Sequence, residues 1–297
     1  GMTELKMAGS ITNFTTTRKN LPAALELVFD AMHNSIMPQD EFDQFKKQMQ
    51  VMIESMRDKP DALAQNAITQ HFNTYPKGDP RYEYSLDESL EQLNKLTVDQ
   101  VRAFYKEFGG TSRGEISIVG DFDPKAVEKI IRDDYAKYVS KAHYAPVVTE
   151  YRPVKATRVV IDTPDKENAI IVARSVFPIN DTAPDAPALT VANWILGGGT
   201  GLSNRLIERL RQKEGLSYGA GSRVRIPAKG DNGSFVFRAI VAPQNMLQAE
   251  ASARDVIAKA IKDGFTDQEV EEAKKGLLQA ICLLYTSDAA DDLTRVD

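Results

Sequence analysis

The sequence feature that most constrains the fold is an internal repeat. A β-branched run that begins at Gly9 is followed by a helical stretch, a break and an acid-led helix near 37–50. The same succession begins at Gly233 and ends in another acid-led helix near 265–279. Self-similarity of this kind indicates duplicated structural units. The sequence therefore predicts two related modules.

Each of these modules shows a part that the other lacks. The first has no opening strands, and the second has no closing helices and strand. Joining the two partial views gives a module of roughly 220 to 230 residues, near the top of the usual domain range. We therefore expect both modules to be incomplete and the chain to be a fragment.

A linker divides the two modules. Residues 144–156 contain two prolines and no regular apolar spacing, which is typical of a connecting segment. This predicts one incomplete domain over 1–143 and a second over 157–281. Within the domains, Thr97 and Gln100 have the spacing of a capping box, and residues 115–120 and 157–164 have the composition of strands.

The last residues, 282–297, do not continue the helical pattern that begins at Thr266. Their first part, CLLYTSDAADD, resembles the translated read-through of a transposon-based sequencing adapter. We expect this segment to lie outside the folded modules. The one cysteine, Cys282, belongs to it, so residues 1–281 cannot form a disulfide.

The charge balance narrows the classes of partner. The chain has 37 basic and 42 acidic residues and a net charge of −5, so no basic field predicts a nucleic-acid partner. Its apolar runs are far shorter than a membrane span. We predict neither nucleic-acid binding nor a membrane span.

A helix, a turn and a strand are predicted over 203–226. Ser203 is a suitable N-cap, and Leu206 and Leu210 lie on one apolar stripe, which predicts a helix over 203–213. Gly215 occupies the position of a left-handed C′ residue. From Leu216 onward apolar residues alternate with polar residues and glycines, which predicts a strand.

Arg211 and Tyr218 are the candidate functional pair of this segment. An arginine in the last helical turn and a tyrosine early in the next strand are both hydrogen-bond donors, suited to a carbonyl oxygen that becomes negative. The alternative is structural: Arg211 complements the helix dipole and Tyr218 packs with its hydroxyl at the surface.

The segment LSNRLIERLRQKEGLSYG resembles the Arg and Tyr segment of pitrilysin and insulinase type zinc metallopeptidases. The resemblance extends over nearly all of 1–281 and implies the C-terminal, non-zinc repeat of a tandem two-repeat bacterial member. It implies that Arg211 and Tyr218 hold a peptide substrate at the scissile bond, facing a zinc ion bound by the N-terminal repeat. It also implies that the glycine-rich loop at Gly197, Gly198 and Gly199 borders the substrate chamber.

The fold implied by the resemblance is α+β, with two related mixed-sheet α/β domains of the metallopeptidase-like (LuxS/processing-peptidase-like) type, both incomplete. A periplasmic or extracytoplasmic location is favoured by the resemblance alone. The competing hypothesis is a non-catalytic scaffold or substrate-binding subunit of the same fold.

Zinc ligands are not predicted in this chain. His33, His71 and His143 have no histidine three to five residues away, whereas zinc sites commonly use two histidines one helical turn apart. The inverted His-x-x-Glu-His motif of the family is absent. We therefore expect zinc only in the full-length enzyme, and no peptidase activity from this fragment alone.

Two other motifs predict different chemistry and are disfavoured by their context. Residues 215–219 match the G-x-S-x-G nucleophile elbow of serine hydrolases, but that elbow needs strand, turn and helix in this order, and no histidine follows Ser217. Residues 197–201 follow a predicted helix, unlike a phosphate-binding loop. A flexible hinge between two helices is the better interpretation of the glycines.

Overall fold

The computed structural model describes the backbone of residues 4–8, 11–199 and 204–293, and the side chains of 12–199 and 204–282. The described chain forms two compact units, one of Gly1–Val51 with Leu90–Pro146 and one of Met52–Ser89 with Val147–Asp297. We call them unit 1 and unit 2. The boundary at 146/147 lies within the predicted linker, but residues 52–89, assigned from the sequence to the first domain, pack with unit 2.

Unit 1 combines a two-stranded antiparallel hairpin with helices. Strands β1 and β2 pair along their whole length. The core is small and is formed by Leu21, Leu25 and Val127, with Phe14 and Ile118 among the partly buried residues around it. The elements of this part of the chain are β1 (Glu4–Ala8), β2 (Ile11–Thr15), α1 (Leu21–His33), α2 (Gln39–Met56), α4 (Leu86–Lys95), α5 (Val98–Phe108) and α6 (Pro124–Asp133).

Unit 2 is built on a three-stranded antiparallel sheet in the order β3-β5-β4. Alanines of α9 pack on Phe237 and Ala239 of the central strand, and α3 packs against β3. The elements are α3 (Pro60–His71), β3 (Ala169–Pro178), α7 (Ala186–Asn193), α8 (Arg205–Ile207), β4 (Ser217–Arg225), β5 (Asn232–Val241), α9 (Met246–Asp263) and α10 (Asp267–Leu293).

The predicted α+β class is confirmed, and both described sheets are antiparallel. The predicted repeat has the same succession in both units: β2, a 3₁₀ turn and α1 in unit 1, and β5, a 3₁₀ turn and α9 in unit 2. None of the helices that the structure describes is both long enough and apolar enough to cross a membrane.

Two predicted strands do not form. Residues 115–120 and 157–164 have no strand partner in the described chain, and Val119 is 89% exposed. A β-branched run becomes a strand only when another strand lies beside it to complete its hydrogen bonds. The predicted break of the last helix is also wrong, because the backbone of α10 stays helical through Leu293.

Candidate functional site

Arg211 lies in a widened helical turn. The Asn204 side chain accepts a hydrogen bond from the Ile207 amide at 2.9 Å and caps α8, which continues into a π-helical turn at Glu208–Lys213. The predicted N-cap, Ser203, lies outside the described residues, and the α-helix predicted to reach 213 is an α-helix only over Arg205–Ile207. Leu206 and Leu210 are fully buried, as their stripe predicts, and Arg211 is exposed.

Gly215 ends this turn in the predicted way. Its φ is +63°, in the left-handed region where glycine avoids the strain of a side chain. The Leu216 amide then donates to the Leu210 carbonyl at 2.8 Å. The chain thus turns directly into β4, and Leu216 is buried.

A β-bulge at the start of β4 places Tyr218. Ser217 pairs with Val241 and Gly219 with Ile240, so Tyr218 is an extra residue in the ladder. The Ser217 hydroxyl lies 2.7 Å from the Gly219 carbonyl oxygen and 2.9 Å from that of Ile240. Bulges of this kind redirect a side chain.

The bulge corrects the predicted alternation of the strand. Simple alternation places Tyr218 on the same face as Leu216 and Ala220, which are both buried. Tyr218 is instead 67% exposed. Ser217 holds the bulge, a role that its residue type does not predict, although a glycine inside a strand, here Gly219, is a known sign of a bulge.

The carboxylates closest to Arg211 in the sequence form ion pairs with other residues. Glu208 pairs with Lys213 at 2.7 Å and Glu214 with Arg209 at 2.6 Å. Among the described residues, Arg211 has no ion pair or hydrogen bond through its side chain, and the Tyr218 hydroxyl has no hydrogen-bond partner. Glu208 and Glu214, the acidic residues close to Arg211 in the sequence, therefore do not pair with it. The function of the pair remains a prediction.

Part of the glycine-rich segment at 197–199 is helical and closely packed. Gly197 and Gly198 belong to a π-helical turn at Trp194–Gly198, and a Cβ on Gly197 would lie 2.7 Å from the Ser222 amide nitrogen on β4. This close approach requires glycine at 197, so the flexible-hinge interpretation does not apply at this residue. Gly199 ends the turn, and the border of a substrate chamber along these glycines remains a prediction.

The described side chains do not fit a zinc ion. His33 stacks on Phe29 and contacts the Tyr138 ring edge, and the His71 Nε2 atom lies 2.9 Å from the Lys155 carbonyl oxygen. Within 12–199 and 204–282, no group of three or more His, Cys, Asp or Glu side chains is placed to hold a metal ion. No step of chemistry is therefore assigned to a metal in this chain.

Ser217 does not resemble a hydrolase nucleophile. It is buried inside a strand that follows a helix and turn, and its hydroxyl is directed to backbone carbonyl oxygens. The G-x-S-x-G match at 215–219 is therefore a coincidence of sequence.

Comparisons with known proteins agree with this fold. The family model described as "Peptidase M16 inactive domain" matches residues 95–277. An uncharacterized zinc protease of Mycobacterium tuberculosis is 24% identical over 280 residues, which cover 93% of this chain and 61% of that protein. A non-peptidase homolog of Helicobacter pylori is 24% identical over 188 residues, 63% of this chain and 42% of that protein.

A solved structure has the same fold. The peptidase M16 inactive domain from Pseudomonas fluorescens superposes with a TM-score of 0.79 at 23% identity, over 93% of this chain and 66% of that one. The chain thus spans 61% and 42% of the lengths of the two curated relatives.

Proposed function

Because the chain belongs to the peptidase M16 family, whose inactive-domain model matches 95–277, we propose that it supplies substrate-binding residues to a zinc-dependent endopeptidase. The observation that carries this proposal is the state of Arg211 and Tyr218. Both donors face solvent, and in the described part of the chain neither is taken by an internal acceptor. This is the state expected of groups that wait for a ligand.

The proposed chemistry is the recognition of a peptide carbonyl. Arg211 offers a permanent cation with several donors, and Tyr218 offers one hydroxyl donor. As the carbonyl oxygen becomes negative during hydrolysis, hydrogen bonds to it strengthen. Each such donor contributes about 3 to 4 kcal/mol to transition-state stabilisation in enzymes where it has been measured. The bulge at 217/219 serves this role because it directs Tyr218 away from the core.

The proposal assigns zinc to an N-terminal repeat of the same protein, outside this chain. Zinc would supply the activated water for hydrolysis, and the residues described here would bind and orient the peptide. The names of the mycobacterial relatives, which are called zinc proteases, support this assignment. Extracytoplasmic location is part of the same proposal.

A non-catalytic scaffold or substrate-binding subunit is the second candidate. Two observations favour it: the matching family model is that of an inactive domain, and one relative is named a non-peptidase homolog. The two candidates differ in the rest of the protein. A His-x-x-Glu-His motif in the same open reading frame supports the enzyme, and its absence from the complete gene supports the partner.

The test is a single hydroxyl deletion in the full-length protein. Tyr218→Phe keeps the ring and removes the donor, so we expect kcat on a peptide substrate to fall about 100- to 1,000-fold with an unchanged Tm. Tyr144→Phe is the matched control, since Tyr144 is 50% exposed and lies in the predicted linker. It should leave kcat unchanged.

The possible outcomes separate the hypotheses. Unchanged turnover in Tyr218→Phe, together with a lowered Tm, assigns the tyrosine to packing and overturns its proposed role. Absence of chelator-sensitive cleavage by the wild-type full-length protein favours the non-catalytic partner. Residues 1–281 alone should cleave nothing, because their described side chains do not fit zinc.

A further inference from the structure

One face of the unit 2 sheet is lined by arginines. The register pairs Val236 of the central strand with Arg174 on one side and Arg223 on the other. Ser234 of the same strand pairs with Arg225. Because side chains two residues apart share a face of a sheet, all three arginines lie on the same face.

This face and helix α3 line a cavity that is open to solvent on one side. Its volume is about 280 Å³, and its lining includes the three arginines, the Ser234 side chain, and Gln65 and Ile68 of α3. A water molecule occupies about 30 Å³ of liquid, so the cavity has room for one carboxylate or phosphate group with some solvent. All of these residues belong to unit 2.

Arg174 lies in the wall of this cavity. Its Nε atom is buried and has no hydrogen-bond partner among the described residues, and its guanidinium carbon lies 4.8 Å from the centre of the Phe72 ring. Burial, followed by the neighbouring charge of Arg225, lowers the pKa of Arg174. Glu83 acts in the opposite direction on this pKa but does not approach within ion-pair distance. Arg174 is partly buried, and a cation withdrawn from water without a partner raises the free energy of the folded state.

Another arginine of the same face has a carboxylate partner. Arg238, which pairs with Val172 in the register, has its Nε atom 2.9 Å from the Asp61 carboxylate of α3. In the described part of the chain, Arg174, Arg223 and Arg225 have no such ion pair. The unit thus supplies a carboxylate for one arginine and leaves the three beside the cavity available.

We propose that this cavity is a binding site for an oxyanion, the carboxylate or phosphate group of a ligand, held by Arg174 and Arg225 with the Ser234 hydroxyl. The planar guanidinium presents paired N–H donors that match these groups in a bidentate manner. An anion in the cavity would also give the buried Nε atom of Arg174 its acceptor. This site is separate from Arg211 and Tyr218 and does not depend on peptide hydrolysis.

The test is calorimetric titration of the purified 297-residue chain with inorganic phosphate, against chloride at matched ionic strength. We expect saturable binding of phosphate that Arg174→Gln and Arg225→Gln each weaken about tenfold or more. Arg132→Gln is the matched control, because Arg132 is exposed in unit 1 and pairs with Glu128. It removes the same charge and should not change the affinity.

A second pair of probes distinguishes the source of the anion. N-acetyl-glutamate amide binding, with no binding of N-acetyl-glutamine amide, indicates an acidic peptide side chain; binding of phosphate alone indicates a phosphorylated or free phosphate ligand. Failure of phosphate and of the glutamate amide to bind the folded wild-type chain overturns the proposal. Binding that survives both arginine substitutions overturns it as well. Thermal unfolding of each variant checks that it is folded. Arg174→Gln should not lower Tm in anion-free buffer.

Discussion

The strand–helix pair β2–α1 of unit 1 and the pair β5–α9 of unit 2 follow the same order along the chain but reach different depths of burial. β5 lies between two strands, and Ala249 and Ala253 of α9 are 0% and 2% exposed. In the described chain β2 pairs with β1, and the buried cluster beside it has three members among the described side chains. The local sequence therefore determines the succession of elements, whereas the neighbouring strands determine how much apolar surface is buried.

The two segments that do not form strands support the same conclusion. Residues 115–120 and 157–164 are rich in β-branched residues, yet Val119, Val159 and Val160 are exposed. Both segments are at least as rich in β-branched residues as β3. What differs is the presence of a strand beside β3, which completes its backbone hydrogen bonds.

The largest effect should come from the deeper core. Leu210 is 0% exposed in the cluster of unit 2, so Leu210→Ala should lower the free energy of unfolding by about 4 kcal/mol through lost burial and a cavity. Urea unfolding measures this loss. A loss below that of the matched Leu25→Ala substitution in unit 1 would contradict the comparison of the two cores.

The corresponding substitution in unit 1 should lower the free energy of unfolding by a smaller amount. Leu25 is 3% exposed but belongs to a small cluster that can collapse around a missing side chain, so Leu25→Ala should cost about 2 to 3 kcal/mol. Hydrogen exchange provides a local measurement. We expect faster exchange at α1 amides, and uniform acceleration across both units would show that they unfold together.

Unit 2 has a second capping box, in which Thr266 and Glu269 bond each other's backbone amides at the start of α10. The stability of this box should depend on pH, unlike that of the Thr97/Gln100 box in unit 1. Arg205 hydrogen bonds lower the pKa of Glu269 from 4.5 to about 2. A lowered pKa in the folded state means that this contribution is present above pH 4.5 and is lost as the pH falls from 4.5 towards 2. In the Thr97 box, the Gln100 side-chain oxygen accepts a hydrogen bond from the Thr97 amide. The Gln100 side chain has no titratable group.

The measurement compares the free energy of unfolding of the wild-type chain with that of Glu269→Gln at a series of pH values. Stability of the wild type should fall more steeply with acid, and the difference between the two proteins should narrow as pH falls through this range. Gln100→Glu introduces a titrating cap in unit 1 as the matched control. Parallel curves for wild type and Glu269→Gln would contradict the prediction.

The smallest effects should come from the capping hydroxyls themselves. The Thr97 hydroxyl oxygen accepts from the Gln100 amide at 3.3 Å, and that of Thr266 from the Glu269 amide at 3.2 Å. Thr97→Ala and Thr266→Ala should each cost about 1 kcal/mol, whereas the Ser substitutions should cost little. Equal losses in both units would show that caps, unlike cores, do not depend on the sheet around them.

The predictable part of the fold is its local chemistry. The capping box at Thr97 and the left-handed Gly215 were both identified from spacing and are both confirmed. Features that depend on distant partners were not predicted. The bulge at Ser217 arises from pairing with β5. Arg174 lines a cavity only because α3 packs over its face of the sheet.

The candidate site shows the same limit. Residue types and the family resemblance identified Arg211 and Tyr218, but alternation alone placed Tyr218 among the buried residues of β4. The π-helical turn at Glu208–Lys213 was also beyond sequence analysis, because a widened turn and an ordinary one have the same apolar stripe here. Exposure of both side chains became apparent only from the tertiary structure.

The bulge has a consequence for how this protein can change over time. Tyr218 takes no part in the strand register and little in the core, so the fold imposes few requirements on the residue at this position. Histidine, serine or glutamine there would leave β4 in place. In the function proposed for Tyr218, a lineage can therefore gain, alter or lose the donor in single substitutions while it keeps the fold of β4.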